Sequence, residues 1–139
     1  MNHLEKFENY HKRKILRELK QAGILLTEIN IPVIISETSF QIRSKKHSEQ
    51  CPYYAQEKPC HDIKDLNCFL CVCPEYHSDM DEGGCRINNQ SGKWHSPYPY
   101  SKSGKVWDCS DCSFPHFQAH IEQYLRQNLG ELRRIQDEI

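Results

Sequence analysis

The sequence predicts a small α+β domain, in which a loop-rich, metal-stapled cysteine region is flanked by an N-terminal helix with short strands and by a C-terminal helix. Three observations lead there. All eight cysteines of the 139-residue chain fall between Cys51 and Cys112. Apolar residues recur at helical spacing near the two ends of the chain. Between those ends a β-branched run precedes a long segment of Cys, Pro, Gly, Asp, Asn and Ser, the composition of loops wrapped around something other than an apolar core. The length suits one compact domain, organised as residues 1–48 (helix and short strands), 49–120 (cysteine-rich region) and 113–139 (amphipathic helix).

Residues 3–22 read as a helix, with Leu4, Phe7, Leu16 and Leu19 forming a broken apolar stripe and Gly23 placed as its stop. Leu25 to Ile42 is rich in Ile, Val and Thr. Its alternation Ile29, Ile31, Val33, Ile35 predicts one or two strands, the first held to a sheet edge by Pro32. After Pro115 the helical period returns in Phe117, Ile121, Tyr124, Leu125, Leu129, Leu132 and Ile135, with Ser113 as a candidate N-cap and Gly130 as a weak point. The two terminal helices are expected to pack on the strands and on each other, their stripes forming the core of a monomer.

Hydrophobic residues make up 37% of the chain and charged residues 27%, with a mean hydropathy of -0.79. Such a chain has a thin apolar interior, and cysteine cross-linking is the natural supplement. No apolar run approaches the ~18 residues that span a bilayer. Residues 2–14 carry no apolar signal core, so the expectation is a cytoplasmic protein, where a reducing milieu favours metal binding over disulfides. Net charge is -1 and the isoelectric point about 6.7, which lacks the basic footprint, a pI above ~9, of a dedicated nucleic-acid binder.

The candidate ligands, in order, are Cys51, Cys60, His61, Cys68, Cys71, Cys73, Cys85, Cys109, Cys112 and His116. Cys68/Cys71 and Cys109/Cys112 have the Cys-x-x-Cys spacing that lets one turn present two thiolates to a tetrahedral ion. Pairing these knuckles would leave Cys51, Cys60, Cys73 and Cys85 for a second site, with His61 or His116 able to replace a thiolate. Because Cys73 follows Cys71 so closely, the sites could instead share the central segment, or a thiolate could bridge two ions. The ions expected are two zinc; an iron-sulfur cluster is the alternative, since four thiolates suit either. A thiol-disulfide pair would need a helix start on a βαβ scaffold, and neither pair is flanked by one.

The ordered series Cys51-Pro52-Tyr53-Tyr54, Pro59-Cys60-His61, Asn67-Cys68-Phe69-Leu70-Cys71-Val72-Cys73-Pro74, Asp108-Cys109-Ser110-Asp111-Cys112 and Pro115-His116 resembles the cysteine-rich small domain family of bacterial and archaeal proteins over about residues 49–120. The resemblance implies a zinc-type metal site built from Cys51, Cys60, Cys68, Cys71, Cys73, Cys109 and Cys112, with His61 and His116 as motif members, and it implies no reaction. In one departure, Gly83 and Gly84 precede Cys85, where the family pattern has the isolated cysteine precede a glycine pair. The aromatic, Pro-stiffened segment Gln90 to Tyr100 reads as an insertion.

Closed four-coordinate sites leave no position for substrate, so the expected role is a metal-stabilised module that binds a protein partner, through the Trp94–Tyr100 loop with Trp107 or through the terminal helices. The alternatives are a redox or sulfur-transfer protein using a reactive cysteine or iron-sulfur cluster, and a ribbon-like nucleic-acid binder using Lys12, Arg13, Lys14, Arg43, Lys45, Lys46, Lys102 and Lys105. Asp79, Asp81 and Glu82 read as a solvated acidic loop. No Ser/His/Asp set, phosphate-binding glycine loop or paired-carboxylate motif stands out.

Overall fold

The computed structural model describes residues 3–61, 63–71, 73–77, 81–109 and 112–139, with side chains from Lys6 onward. Five helices and one two-stranded sheet make up the regular structure: α1 (His3–Gln21), α2 (Ile31–Glu37), α3 (Phe40–Lys46), α4 (Pro52–Ala55), β1 (Lys93–His95), β2 (Val106–Asp108) and α5 (Gln118–Glu138). The fold class is α+β, as the sequence predicts, but the strands lie elsewhere.

The stretch Leu25 to Ile42 is helical rather than extended: a 3-10 turn at Glu28–Asn30 leads into α2 and α3. Pro32 stands in the first turn of α2, where its missing N–H costs nothing and its fixed φ suits the helix. Ile31, Ile34 and Ile35 then fall on one helical face and are buried, while Ile29 and Val33 point outward. The alternation that suggested strands was a 3.6-residue period seen through a short window. The observed strands come from the 90–108 region, where Trp94 pairs with Trp107 across the antiparallel β1–β2 ladder.

Among the described helix starts, Ser39 caps α3 through its side chain, whereas α2, α4 and α5 begin without a side-chain cap bond. Gly23, at φ +77°, ends α1 as predicted. Ser113 caps a 3-10 turn, Phe114–His116, without a side-chain bond, and α5 starts only after Phe117. Gly130 lies inside α5 with nothing near its Cα substituent position.

The main core is built from Ile15, Leu16 and Leu19 of α1, Leu26, three isoleucines of α2, Phe69 and Leu70, and Ile121, Leu125, Leu132 and Ile135 of α5. Leu16 and Leu19 of the first stripe and Ile121, Leu125, Leu132 and Ile135 of the second thus pack on each other and on α2 rather than on strands, whereas Phe7 and Phe117 are exposed; Leu4 lies outside the described side chains. Phe69 and Leu70 sit between Cys68 and Cys71, so the first knuckle is anchored in this core. A second cluster of Phe40, Tyr54, Leu66 and Cys68, with Cys51 and Ile63 against it, joins α3 and α4 to the same knuckle. No helix among the described residues is long and apolar enough to cross a membrane.

Candidate metal centre

All eight cysteines are free thiols. By the grooves they line they fall into two sets that overlap at Cys71. Cys51, Cys60, Cys68 and Cys71 line one groove, and each of Cys60, Cys68 and Cys71 has its thiol raised by burial and by neighbours from this same group. Cys73, Cys85, Cys109 and Cys112 line a second cavity of about 340 Å³, where burial first, and then the thiols of Cys109, Cys112 and Cys85, push Cys73 up to about 11. Cys71 lines both grooves, and the short Cys71–Cys73 step joins the two groups.

The first group rests on a buried polar relay. Arg43, 3% exposed, donates from Nη1 to Glu18 Oε2 at 2.6 Å, from Nη2 to Gln50 Oε1 at 2.6 Å and from Nε to the Tyr54 hydroxyl at 3.1 Å. Gln50 Nε2 donates in turn to the other Glu18 oxygen at 2.9 Å. The Tyr54 hydroxyl hydrogen-bonds the Cys68 sulfur, opposing the burial that drives that thiol up to about 12. A donor aimed at the sulfur favours the thiolate, the form a metal needs. His11 Nε2 lies 2.9 Å from the Cys68 carbonyl, and burial lowers this histidine to about 4. Cys60 and Cys71 are exposed as residues, yet both reach the groove, where lost solvation is the chief force on their thiols.

The second group is shaped by close backbone approaches. The Asn89 N–H donates to Cys85 Sγ at 3.3 Å, and Cys85 bridges to Tyr76, so the cysteine set apart by its reversed glycine pair nonetheless joins the group. Gly83, at φ +75°, allows this turn: a Cβ there would lie 2.1 Å from the Tyr76 hydroxyl, which donates to the Trp107 carbonyl at 2.8 Å. Gly92 likewise leaves room for the Trp107 indole, since its Cβ would fall 2.3 Å from Cζ2. Trp107 lines the cavity and Trp94 stacks edge-on against it at 5.2 Å.

A tighter ligand set lies between the groups. Among the described residues, Cys60, His61 and His116 are the one trio of ligating side chains whose donor atoms all lie within 4.8 Å of one another. His116 is buried, its imidazole lowered by lost solvation and then by the nearby His61.

With this geometry in place, comparison with known sequences decides the family. The profile of the cysteine-rich small domain matches residues 43–138. The chain belongs to the cysteine-rich small domain family. The match extends past the 49–120 span that carries the resemblance, taking in the second half of α3 and all of α5. A relative, the probable cobalt-factor III C(17)-methyltransferase of Methanothermobacter thermautotrophicus, is 29% identical over 84 residues, which cover 60% of this chain. The chain spans only 18% of that relative's length. No solved structure matches it.

Other sequence expectations resolve here. Arg43 is buried in the relay and is not free to meet phosphate. Asp81 accepts the Lys102 backbone N–H at 2.6 Å and Glu82 accepts the Ser103 hydroxyl at 2.7 Å, so these acids fasten the hairpin; Asp79 lies outside the described residues. Sequence reasoning missed Glu18, Gln50, Tyr54 and Asn67 as supports of the site. Tyr54 and Asn67 sit in the Cys51-Pro52-Tyr53-Tyr54 and Asn67-Cys68 motifs, which could have flagged them; Glu18 and Gln50 carry no local signal.

Proposed function

We propose that the chain is a metal-stabilised interaction module holding two zinc ions, one in each cysteine quartet. The observation that carries this reading is that the eight free thiols, drawn from distant segments of the chain, line two adjoining grooves that share Cys71. Four thiolates at about 2.3 Å complete a tetrahedral zinc and leave no position for substrate, so the ions act as staples. Such sites belong in a reducing, cytoplasmic compartment. The partner is a protein, met by the β1–β2 hairpin, where Trp94 is 45% exposed under the Lys105 ammonium and Tyr100 is 82% exposed. That a relative carries a similar segment within a much longer enzyme supports a modular role.

Elemental analysis of the anaerobically purified chain tests the metal, with Cys68→Ser and Cys109→Ser as probes. About two zinc per chain, each variant losing about one, is the expected result. Iron with matching acid-labile sulfide would replace zinc and make redox or sulfur-transfer chemistry the leading reading.

A further inference from the structure

Two histidines remain outside the quartets, yet they stand against a quartet cysteine. We propose that Cys60, His61 and His116 form a further metal site, open at its fourth position, for a borderline divalent ion such as Zn2+, Co2+ or Ni2+, with the Cys60 thiolate bridging to the first quartet. The proposal rests on the quartet reading.

The geometry is close to that of a bound site. Bonds of about 2.0–2.3 Å to a tetrahedral ion set neighbouring donors roughly 3.3–3.8 Å apart; the three donors already lie within 4.8 Å of one another. His116 is held for the task. It is 6% exposed, and its Nδ1 lies 2.9 Å from the Asn67 carbonyl while the Asn67 N–H donates back to the His116 carbonyl at 3.0 Å. A carbonyl can only accept, so Nδ1 carries the proton and the neutral ring keeps its lone pair on Nε2. A backbone carbonyl fixing the tautomer and tilt of an imidazole is the usual support of a ligating histidine. The His61 ring centroid is 5.0 Å from that of His116.

Access distinguishes this trio from the quartets. Cys60 is exposed and His61 half-buried, and His116 lines both the 340 Å³ cavity and the groove of the first quartet. Solvent or a small ligand can therefore reach the fourth position, and the ion held there exchanges more readily than a closed one. Mixed imidazole and thiolate donors suit zinc, cobalt and nickel rather than hard cations.

The test is equilibrium dialysis of the reduced, metal-free full chain against Co2+, with thiolate-to-cobalt charge-transfer absorbance followed in parallel. Saturation near three ions per chain is expected, falling to about two in His61→Ala and in His116→Gln while the charge-transfer band of the quartets persists. His116→Gln also disturbs the Asn67 clamp, so His61→Ala decides where the two differ. Saturation at two ions in the unaltered chain, or three retained in His61→Ala, would overturn the site. A chain that develops no charge-transfer band at all overturns the quartet reading, and this site with it.

Discussion

At the scale of single residues, Tyr54 links the protein's buried charge to its first cysteine group. Its hydroxyl accepts from Arg43 Nε at 3.1 Å and donates to the Cys68 sulfur, so Tyr54→Phe removes two bonds while keeping the ring. Supports of this kind tune affinity by about 10–100-fold. Competition with a chromophoric chelator should show zinc held that much more weakly in Tyr54→Phe, and an unchanged affinity would remove the relay from the account. Glu18 answers a different question. Burial pushes its carboxyl up, but hydrogen bonds from Arg43 and Gln50 prevail and hold it below the ordinary value. A carboxylate lowered in the folded state contributes stability that is full above its unfolded value of 4.5 and fades as pH falls through the folded one. Glu18→Gln strands a guanidinium that is 3% exposed, at a cost of about 3 kcal/mol. In urea melts at pH 7 the variant should show this loss, and the gap from the unaltered chain should narrow below pH 4.5. A gap independent of pH would mean that the carboxylate's charge contributes nothing.

At the scale of elements, α1 and α5 were legible because long amphipathic periods and Gly23 announce them. Ile31 to Ile35 was not, since four β-branched residues around a proline satisfy a short strand pattern as well as one turn of helix, and only packing against α5 decides. The sequence names the eight thiols as candidate ligands, whereas which of them share a groove could not be read from it, because that depends on Phe69 and Leu70 pulling one knuckle into the helical core. Gln136 was equally hidden. It lies fully buried in α5 and accepts the Leu26 N–H at 3.0 Å while donating to the Leu16 and Ile24 carbonyls at 3.3 and 3.0 Å. One polar side chain thus closes the loop between α1 and α2. Gln136→Leu leaves the Leu26 N–H and the Ile24 carbonyl without their side-chain partner, each such group costing about 1–3 kcal/mol, so its melting temperature should drop by several degrees. A melting temperature equal to that of the unaltered chain would show that water replaces the amide. Gly83→Ala should act on the second group instead: the left-handed φ alone costs about 1–2 kcal/mol, and the displaced Tyr76 ring would release the Trp107 carbonyl.

At the scale of the whole molecule, two stabilising devices divide the chain. The helices share an aliphatic core, whereas the 73–112 region has its cysteines and a three-residue ladder. A structural zinc supplies about 10–16 kcal/mol in small fingers, as much as the entire stability of a typical domain, so the region around the second group should not survive metal removal. The tryptophans make this separable. Both lie in the β1–β2 hairpin, Trp107 against the second group, and neither contributes to the helical core. Far-ultraviolet dichroism reports chiefly α1 and α5. Adding a chelator at neutral pH should therefore change tryptophan emission as the second group empties, while more than half of the helical signal persists at 25 °C and melts at a lower temperature. The helices lose some stability too, because Phe69 and Leu70 leave their core if the first knuckle opens. Emission and dichroism that both keep their metal-loaded values after complete metal removal would show that packing alone holds the cysteine region, and the staple role would fail.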